Sequence, residues 1–322
     1  MRIFRHFETL PEDVRGAVIA IGNFDGVHPG HQAVINEAGL IARDSGRPWA
    51  VLTFEPHPRR LFAPDQPPFR LTPFRAKAKV IENLGVDMLI VQRFNKAFSQ
   101  LEARDFVNDA LVQGFGASHV VSGYDFVFGQ GRGGHCDLLL AMGAEQGFGF
   151  TAVNAIEDGT GEPYSSTRIR DRLMAGDPRG AAAILGRDVE IEGRVIAGES
   201  RGHAIGFPTA NISLGSYLRP VNGVYAIRAG IENGADVEWR NGVANIGVRP
   251  TFGAESIILE VYLFDFDDDL YGRRLRVRLI DFLREEKKFD GIDDLKAQIA
   301  LDVTKAKEIL TRGEERRGRD RD

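Results

Sequence analysis

Cysteine is almost absent from this sequence. Cys136 is the only cysteine, so a disulfide within the chain is excluded. This usage is typical of a reducing compartment, and we expect the protein to be cytoplasmic. The opening MRIFRHFETLPEDVRG carries three acidic residues and lacks the apolar core of a signal peptide. Long apolar runs are also missing, so we expect no membrane-spanning helix and no membrane partner.

An excess of positive charge is lacking as well. Acidic residues (46) outnumber lysines and arginines (41), which gives a formal net charge of −5. Surfaces that bind nucleic acids are usually strongly basic, so we predict no nucleic-acid partner, although a local phosphate site is compatible with this balance. The 322 residues, of which 43% are hydrophobic, suffice for two domains with separate cores. The sequence does not determine an oligomeric state.

The first half of the chain alternates strand-like and helix-like segments. Short apolar runs that predict strands occur at 17–22, 49–54, 88–94, 118–123 and 150–156. Segments with helical spacing occur at 31–46, 76–85, 103–115 and 136–147. This order predicts crossover units and a mainly parallel sheet, which binds ligands beyond the carboxyl ends of its strands. GNFDGVHPGH (22–31) lies at such an end.

The pattern changes near residue 185. Short segments that predict antiparallel strands with one buried face follow, at 189–198, 223–231, 256–264 and 275–283. A helix is predicted at 293–310. We therefore predict an α/β protein with a Rossmann-like parallel-sheet domain over 1–184, then a small antiparallel β-barrel with a C-terminal helix over 185–311. Residues 312–322 have mixed charge and no apolar face, so we expect them to be disordered.

The motif GNFDGVHPGH combines glycines, an acid, an asparagine and two histidines at the end of the first buried strand. Pro29 suits a first helical turn, so we expect a helix to begin near residues 28–30, with His28 and His31 on one side of it. Backbone N–H groups at a helix start attract phosphate, and two imidazoles there can donate to an α-phosphate as its charge grows during attack. Asn23 can bind the same phosphate or a ribose.

Two other interpretations of this motif stay open. It can be a glycine turn with surface histidines that carries no chemistry. A zinc site is the weaker alternative, because two histidines three residues apart have only Asp25 beside them and lack a convincing third and fourth ligand.

The segment SSTRIRDRL (165–173) can supply complementary groups. Its serines can cap a helix, and Ser166 and Thr167 can bind phosphate oxygens at the start of that helix. Arg168 and Arg170 can hold departing pyrophosphate through charge-assisted hydrogen bonds. An ordinary capped helix with solvated arginines is the alternative.

GYDFVFGQGRGG (123–134) follows another predicted strand. Its glycines favour a tight, adaptable loop. Asp125 can orient a ribose or a basic partner, and Phe126 and Phe128 can face a flat ring. The alternative is a flexible loop that the two aromatic side chains hold in place.

In the second half, GESRGHAIGFPTANI (198–212) combines glycines with oxygen ligands. Thr209 and Asn211 lie two residues apart, so on an extended segment both point the same way and can hold one Mg²⁺. The glycines can form a lid over phosphates: Gly198, Gly202 and Gly206. A glycine-rich turn that precedes a strand is the alternative.

Glu260 lies in the apolar strand segment SIILEVYLF (256–264). An acid there is costly to bury without a partner, and at the barrel mouth it can take a proton from a substrate hydroxyl as general base. It can equally point to solvent on an alternating strand. The nearby DFDDDLYG (265–272) lacks the glycine and the final glutamate of an EF-hand loop, so we interpret it as a hairpin turn.

The N-terminal motifs together resemble those of the bacterial bifunctional riboflavin kinase/FAD synthetase family. GNFDGVHPGH, TFEPHPRRLF, FNKAFSQLEARDFV, GYDFVFGQGRGG and SSTRIR occur in the same order in its FAD synthetase half. The resemblance implies a nucleotidyltransferase domain that joins FMN to AMP from ATP and releases pyrophosphate. It implies that ATP is bound by Asn23, Asp25, His28, His31, Ser166, Thr167 and Arg170. We expect the flavin to contact Asp125, Phe126 and Phe128.

The second half resembles the riboflavin kinase module of the same family, through GFPTAN, PVNGVYAI, GVANIGVRPTFG, LEVYLFDFDDDLYGRRL and FLREEKKF. The resemblance implies transfer of the ATP γ-phosphoryl group to the riboflavin 5′-hydroxyl, with magnesium roles for Thr209 and Asn211 and a base role for Glu260. Two positions depart from the family pattern. His203 stands where an arginine is common, which bears on one phosphate contact in the lid, and Tyr262 stands where a histidine is common.

The resemblance covers about residues 15–311 and implies two active sites in one polypeptide. ATP, riboflavin and FMN are the expected small-molecule substrates, with Mg²⁺ as the cofactor. A different adenylyl- or cytidylyltransferase explains the first half but leaves the barrel without a role. A flavin-binding or regulatory protein derived from an inactive enzyme is expected to lack catalytic side chains, yet this sequence contains His28, His31, Thr209, Asn211 and Glu260.

Overall fold

The computed structural model describes residues 1–7, 10–196, 206–234, 236–251 and 254–319. The chain forms two compact units. The first consists of Met1–Gln66 and Thr72–Ser165, and the second of Pro67–Leu71 and Ser166–Asp322. The chain therefore passes from the first unit into the second, and back, around residues 67–71.

A six-stranded parallel sheet forms the centre of the first unit. Its strands are β1 (Arg2–Arg5), β2 (Val18–Ile21), β3 (Trp49–Glu55), β4 (Met88–Arg93), β5 (His119–Gly123) and β6 (Gly149–Val153). Their spatial order is β1-β4-β3-β2-β5-β6, and all neighbours run parallel. The five strands predicted for this half are confirmed. The sequence did not reveal β1, because RIFR is short and mostly exposed.

Helices connect these strands. They are α1 (Pro29–Ser45), α2 (Pro58–Phe62), α3 (Phe74–Glu82), α4 (Lys96–Ser99), α5 (Ala103–Asp105), which continues as a π-helix over Phe106–Gly114, and α6 (Cys136–Gln146). Short 3-10 turns occupy Glu12–Val14 and Gln130–Arg132. The first helix begins with a proline, as predicted, and it ends at Gly46, whose left-handed φ of 62° suits a residue without a Cβ.

The sheet is covered on both faces. Successive strand residues point to opposite faces, so Val18 and Ala20 pack in one apolar cluster with α1 and α3, while Ile19 and Ile21 pack in another with the π-helix and α6. The chain leaves β2 towards β3 but leaves β5 towards β6, although β2 and β5 are neighbours. The carboxyl ends of these two strands therefore flank the crevice where such sheets bind ligands.

A closed antiparallel barrel forms the centre of the second unit. Its strands are β7 (Val189–Ile196), β8 (Ala210–Ser213), β9 (Gly223–Asn233), β10 (Asp236–Thr251), β11 (Ala254–Leu263) and β12 (Arg274–Arg284). They close in the order β10-β11-β8-β7-β12-β9. Its interior is apolar, with Ile212, Ile246 and Leu259 fully buried. The predicted fold class is confirmed in both halves.

Two segments from outside the predicted barrel range belong to the second unit. Helices α7 (Ser166–Met174) and α8 (Pro178–Leu185) precede the barrel, and α8 packs on β7 and β12. The two compact units divide after Ser165, and the domain boundary at 184 stays a prediction. In the segment 67–71, the Arg70 N–H donates to the Ser216 carbonyl at 3.3 Å, and the Arg70 carbonyl accepts from the Leu218 N–H at 2.7 Å.

The long C-terminal helix α9 (Ile292–Arg319) covers one side of the barrel. Ala306 and Leu310 pack there against Val243 and Phe264. The helix continues through 312–319, within the tail 312–322 that we expected to be disordered, and the disorder of that tail stays a prediction. Glutamate and arginine have high helix propensity, and extending an existing helix costs less than nucleating one. None of the helices in the described ranges is both long and apolar enough to cross a membrane.

Candidate active sites

The loop between β2 and α1 has an unusual backbone. Phe24, Gly26 and Val27 have φ values of 48°, 93° and 47°, in the left-handed region that residues other than glycine seldom adopt. Such conformations persist only where surrounding contacts hold them, and they are concentrated at ligand-binding sites. The contacts around this loop therefore indicate how the site is built.

Asp25 and Thr72 hold the middle of this loop. The Asp25 carboxylate is 2% exposed and accepts from the Thr72 N–H at 3.0 Å, while the Gly26 N–H donates to Thr72 Oγ1 at 2.8 Å. These buried hydrogen bonds give Asp25 a part in fixing the loop. Its predicted contact with ATP stays a prediction.

The two histidines meet at the start of α1. Their ring centroids lie 3.6 Å apart with planes 20° from parallel, so His28 and His31 stack on one side of the first turn, as predicted. His28 is the N-cap residue, since its Nδ1 accepts from the His31 N–H at 3.3 Å. In a neutral imidazole whose Nδ1 accepts, Nε2 carries the proton and is the donor. Phe24 packs edge-on against His31, with centroids 5.5 Å apart.

A large cavity opens at the carboxyl ends of the sheet strands. Its volume is about 870 Å³, and its wall includes Asn23 after β2 together with Phe126 and Phe128 after β5. Further phenylalanines make the wall largely apolar: Phe54, Phe62, Phe94, Phe98 and Phe106. Cavities of this size that are lined by aromatic side chains suit a flat organic ligand.

The aromatic geometry of this cavity matches a planar ring. Phe126 and Phe128 are stacked, with centroids 5.6 Å apart and planes 17° from parallel, and Phe128 also packs on Phe106. Phe62 also lines the cavity and is 69% exposed, so its ring is accessible to a ligand. Asp125 is exposed and is not part of the wall.

Polar groups lie among these aromatic side chains. Lys96, Arg59 and Arg132 line the same cavity, so an apolar recess carries cationic side chains that can bind an anionic group. His57 is the N-cap of α2, where its Nδ1 accepts from the Arg59 N–H at 3.2 Å.

Lys77 is a residue of this region that sequence reasoning missed. It is fully buried in α3, and its Nζ contacts the Asn23 carbonyl beneath the loop at 3.1 Å. Lys77 lies four residues before the buried Ile81, so its place on the apolar face of the helix was the available signal.

Ser165 of the motif SSTRIR is the last residue of the first unit, and the other five residues belong to the second. Helix α7 begins at Ser166, which agrees with the predicted helix start, and Thr167 is exposed in its first turn. Arg170 is half-buried: its Nε donates to the Phe69 carbonyl at 2.9 Å, and its guanidinium lies 5.6 Å from the centre of the Phe69 ring. The predicted phosphate contacts of these residues stay predictions.

The barrel has a cavity of about 540 Å³ that contains the predicted magnesium ligands. Thr209 and Asn211 both line it, as their two-residue spacing predicts. Asn211 is 4% exposed, and its Oδ1 has no hydrogen-bond partner among the described residues. A buried carbonyl oxygen without a donor costs free energy, so this atom is well suited to an external cation or donor.

Glu260 lies beside this cavity in a row of polar side chains across three strands. On β11 it is directly opposite Asn211 of β8 and Asn245 of β10, so all three side chains are on one face. The Asn245 Nδ2 donates to Glu286 Oε1 at 3.2 Å. Glu260 is half-buried and does not itself line the cavity.

Tyr262 lies two residues from Glu260 on the same strand face. Its ring packs edge-on against Phe207 of the GFPTAN segment, with centroids 5.4 Å apart. Burial raises the pKa of the Tyr262 hydroxyl, and the Asp265 and Asp267 carboxylates raise it further. The hydroxyl therefore stays protonated, and the side chain serves as packing next to the row.

The segment DFDDDLYG connects β11 to β12, but these two strands are not neighbours in the barrel. The interpretation as a hairpin turn is therefore wrong, and the segment is a loop that crosses from one part of the barrel to another. The sequence did not reveal that its aspartates line the barrel cavity: Asp267, Asp268 and Asp269. Within the described ranges, no group of three or more histidine, cysteine, aspartate or glutamate side chains has the geometry to hold a metal ion.

The predicted phosphate lid lies largely outside the described residues. Gly198, Gly202 and the divergent His203 are not described. Gly206 is described and exposed, with a φ of 87° that favours glycine. The lid stays a prediction.

Comparisons with known proteins cover both halves of the chain. A family model described as FAD synthetase matches residues 10–168, and one described as riboflavin kinase matches residues 185–310. The chain is 40% identical over 311 residues to the bifunctional riboflavin kinase/FMN adenylyltransferase of Escherichia coli (strain K12), a match that covers 96% of this chain and 98% of that protein. The chain belongs to the riboflavin kinase/FMN adenylyltransferase family.

Two further matches also cover more than nine tenths of this chain. The bifunctional riboflavin kinase/FMN adenylyltransferase of Bacillus subtilis (strain 168) is 39% identical over 303 residues, which covers 92% of this chain and 93% of that protein. Among solved structures, one named macrolide-efflux protein from Streptococcus pneumoniae matches with a TM-score of 0.81 at 29% identity, covering 94% of this chain and 97% of that one.

Proposed function

We infer that this chain is a two-site enzyme of flavin cofactor synthesis. It phosphorylates riboflavin to FMN with ATP, and it then joins FMN to AMP from a second ATP, which gives FAD and pyrophosphate. One observation carries the assignment: the FAD synthetase and riboflavin kinase models match consecutive parts of the chain. Each part also contains a cavity of its own.

The adenylyl transfer belongs to the N-terminal part of the chain, which the FAD synthetase model matches. A phosphate oxygen of FMN attacks the α-phosphorus of ATP, the bond from that phosphorus to the bridging oxygen breaks, and pyrophosphate leaves. His28 and His31, with the N-terminal N–H groups of α1, stabilise the charge that grows on the α-phosphate. The stacked rings at the helix start support these roles, because both lie where the helix dipole favours an anion.

The isoalloxazine ring of FMN binds in the 870 Å³ cavity, against Phe126 and Phe128. The nearly parallel stack of these two rings supports this placement. Asn23 lines the same cavity and also lies in the loop between β2 and α1. One residue therefore borders both the proposed ring site and the proposed phosphate site. For Asp125 we propose a contact with the ribityl chain rather than with the ring.

The phosphorylation belongs to the barrel. The 5′-hydroxyl of riboflavin attacks the γ-phosphorus of ATP, Glu260 takes the hydroxyl proton, and ADP leaves. Transferases of these families generally need a divalent metal ion, and we assign Mg²⁺ to Thr209 and Asn211. The buried, unpartnered Oδ1 of Asn211 fits this, because oxygen donors are what Mg²⁺ prefers. When bound, the ion neutralises charge on the ATP phosphates.

Further contacts complete the proposal. Ser166, Thr167 and Arg170 bind ATP phosphates of the adenylyl transfer, and Gly206 belongs to a lid over the phosphates in the kinase site. Only small-molecule substrates are proposed: ATP, riboflavin and FMN. A cytoplasmic location stays a prediction.

Incubation of the full chain with riboflavin, ATP and Mg²⁺, followed by chromatography of the flavins, tests this function. We expect FMN to appear first and FAD later, and FMN supplied in place of riboflavin to give FAD directly. Unchanged riboflavin would contradict the assignment and favour a flavin-binding protein. Reaction with CTP in place of ATP would favour a different nucleotidyltransferase.

A further inference from the structure

Lys77 is a fully buried lysine whose presence no motif explains. It lies in α3 on the face that also carries the buried Ala78 and Ile81. Burying an ammonium group costs several kcal/mol unless the group is paired and hydrogen-bonded. The contacts that offset this cost therefore indicate what Lys77 does.

These contacts meet at the start of the loop between β2 and α1. Nζ of Lys77 lies 3.1 Å from the Asn23 carbonyl oxygen, 2.9 Å from Thr53 Oγ1 and 3.2 Å from Glu55 Oε1. The Thr53 hydroxyl donates to the same Asn23 carbonyl at 3.2 Å. Two donors thus meet on one backbone oxygen, and a half-buried carboxylate compensates the charge.

Asn23 is the residue at which the chain turns from β2 into this loop. The residue after it, Phe24, has a φ of 48° and packs against His31. The side chain of Asn23 lines the flavin cavity. The orientation of the Asn23 peptide group therefore affects both the histidine side and the flavin side of the site.

We propose that Lys77 is a positioning residue for adenylyl transfer. By holding the Asn23 carbonyl it fixes the path of residues 22–28, and thereby the distance between the histidine pair and the flavin cavity. It touches no substrate, because its side chain is fully buried. This inference rests on the proposed adenylyltransferase function of the first unit.

The substitution Lys77→Met tests the proposal, because it keeps the aliphatic length and removes the ammonium group. A misplacement of reacting groups by about 1 Å can cost about 100-fold in rate, so we expect kcat for FAD formation to fall about 10- to 100-fold. KM for FMN and for ATP should change less than about threefold, since neither binding surface is removed. Riboflavin phosphorylation in the same preparation should be unchanged, which provides an internal control.

Two companion variants separate positioning from simple loss of stability. Lys79→Met makes the same change two residues along α3 and should leave kcat for FAD formation unaltered. Thr53→Val removes the other donor to the Asn23 carbonyl and should lower kcat in the same direction as Lys77→Met. Because both act through one carbonyl, their effects should be less than additive in the double variant.

Distinct results would overturn the proposal. One is folded Lys77→Met protein with the kcat of the unaltered chain. Another is a raised KM for ATP at unchanged kcat, which would mean that Lys77 binds phosphate directly. If Lys77→Met does not fold, Thr53→Val decides: a lowered kcat at unchanged KM supports the proposal, and an unchanged kcat overturns it. An unaltered chain that makes no FAD from FMN and ATP would overturn the proposed function, and this assignment with it.

Discussion

The first unit presents its candidate catalytic groups from loops, whereas the barrel presents them from the faces of strands. Asn23, His28 and His31 follow β2 within ten residues, because the carboxyl end of a parallel strand leads directly into a loop and a helix start. Asn211, Glu260 and Asn245 come from three strands and meet only through antiparallel register. A parallel sheet concentrates a site in short sequence motifs, while a barrel assembles one from distant segments.

The largest expected effect is a loss of FAD formation that leaves FMN formation intact. Replacing His28 and His31 by alanine removes the proposed donors to the α-phosphate, and loss of one such donor costs about 10²–10³-fold in rate. We expect the double variant to lose FAD formation by at least about 10³-fold. FMN formation from riboflavin should stay near that of the unaltered chain, as measured by chromatography.

His135→Ala is the matched control for this pair, since His135 is exposed and does not line the 870 Å³ cavity. It should leave both activities intact. Retained FAD synthesis in the double histidine variant would contradict the role assigned to these side chains.

The converse experiment acts on the barrel. Glu260→Gln removes the proposed base, and general-base catalysis is worth about 10²–10⁴-fold, so phosphorylation of riboflavin should fall by that factor. Adenylylation of supplied FMN should be unaffected. Rates of FMN and FAD formation, measured separately, check this.

Glu238→Gln makes the same chemical change at an exposed position of β10 and should alter neither rate. Loss of both activities in folded Glu260→Gln protein would show that the two sites are not separate. Normal kinase activity would remove Glu260 from the mechanism.

A third change sets stability against function in the barrel. Asn211→Leu replaces a buried oxygen without a hydrogen-bond partner, and such an oxygen costs about 1–3 kcal/mol. We expect an unchanged or higher unfolding temperature together with loss of FMN formation, because the proposed metal ligand is gone. Calorimetry without ligands and a kinase assay over a range of Mg²⁺ concentrations test this. A clearly lowered unfolding temperature, or a normal Mg²⁺ requirement, would contradict it.

The smallest expected effect comes from a substitution that anchors the loop between β2 and α1 less firmly. Thr72→Val leaves the buried Gly26 N–H without its acceptor, which should cost about 1–3 kcal/mol in the free energy of unfolding. FAD formation should fall only a few-fold, because the backbone N–H at position 72, which the substitution keeps, still donates to Asp25. The exposed Thr311→Val in α9 is the control. An FAD rate reduced as strongly as in the double histidine variant would show that Thr72 has a larger part than anchoring.

The same contrast explains what the sequence could predict. The order of strands and helices in the first unit, the helix start at Pro29 and the pairing of His28 with His31 all follow from local patterns of a few residues. The spacing of Thr209 and Asn211 likewise placed both on one cavity wall.

The features that were missed depend on distant parts of the chain. In the sequence, Lys77 does not differ from other lysines of an amphipathic helix. Only the fold brings the Asn23 carbonyl and the Thr53 hydroxyl to its Nζ. Asp267 to Asp269 read as a polar turn, and only closure of the barrel brings them to the cavity of Thr209.

The segment Pro67–Leu71 limits how this enzyme can be divided. A fragment beginning at Ser166 would contain the whole barrel in sequence but would lack the Arg70 carbonyl that accepts from the Leu218 N–H. The complementary fragment would carry these five residues with no barrel to pair with. Separate expression of the two activities therefore calls for a graft of residues 67–71 onto the barrel rather than for a single cut.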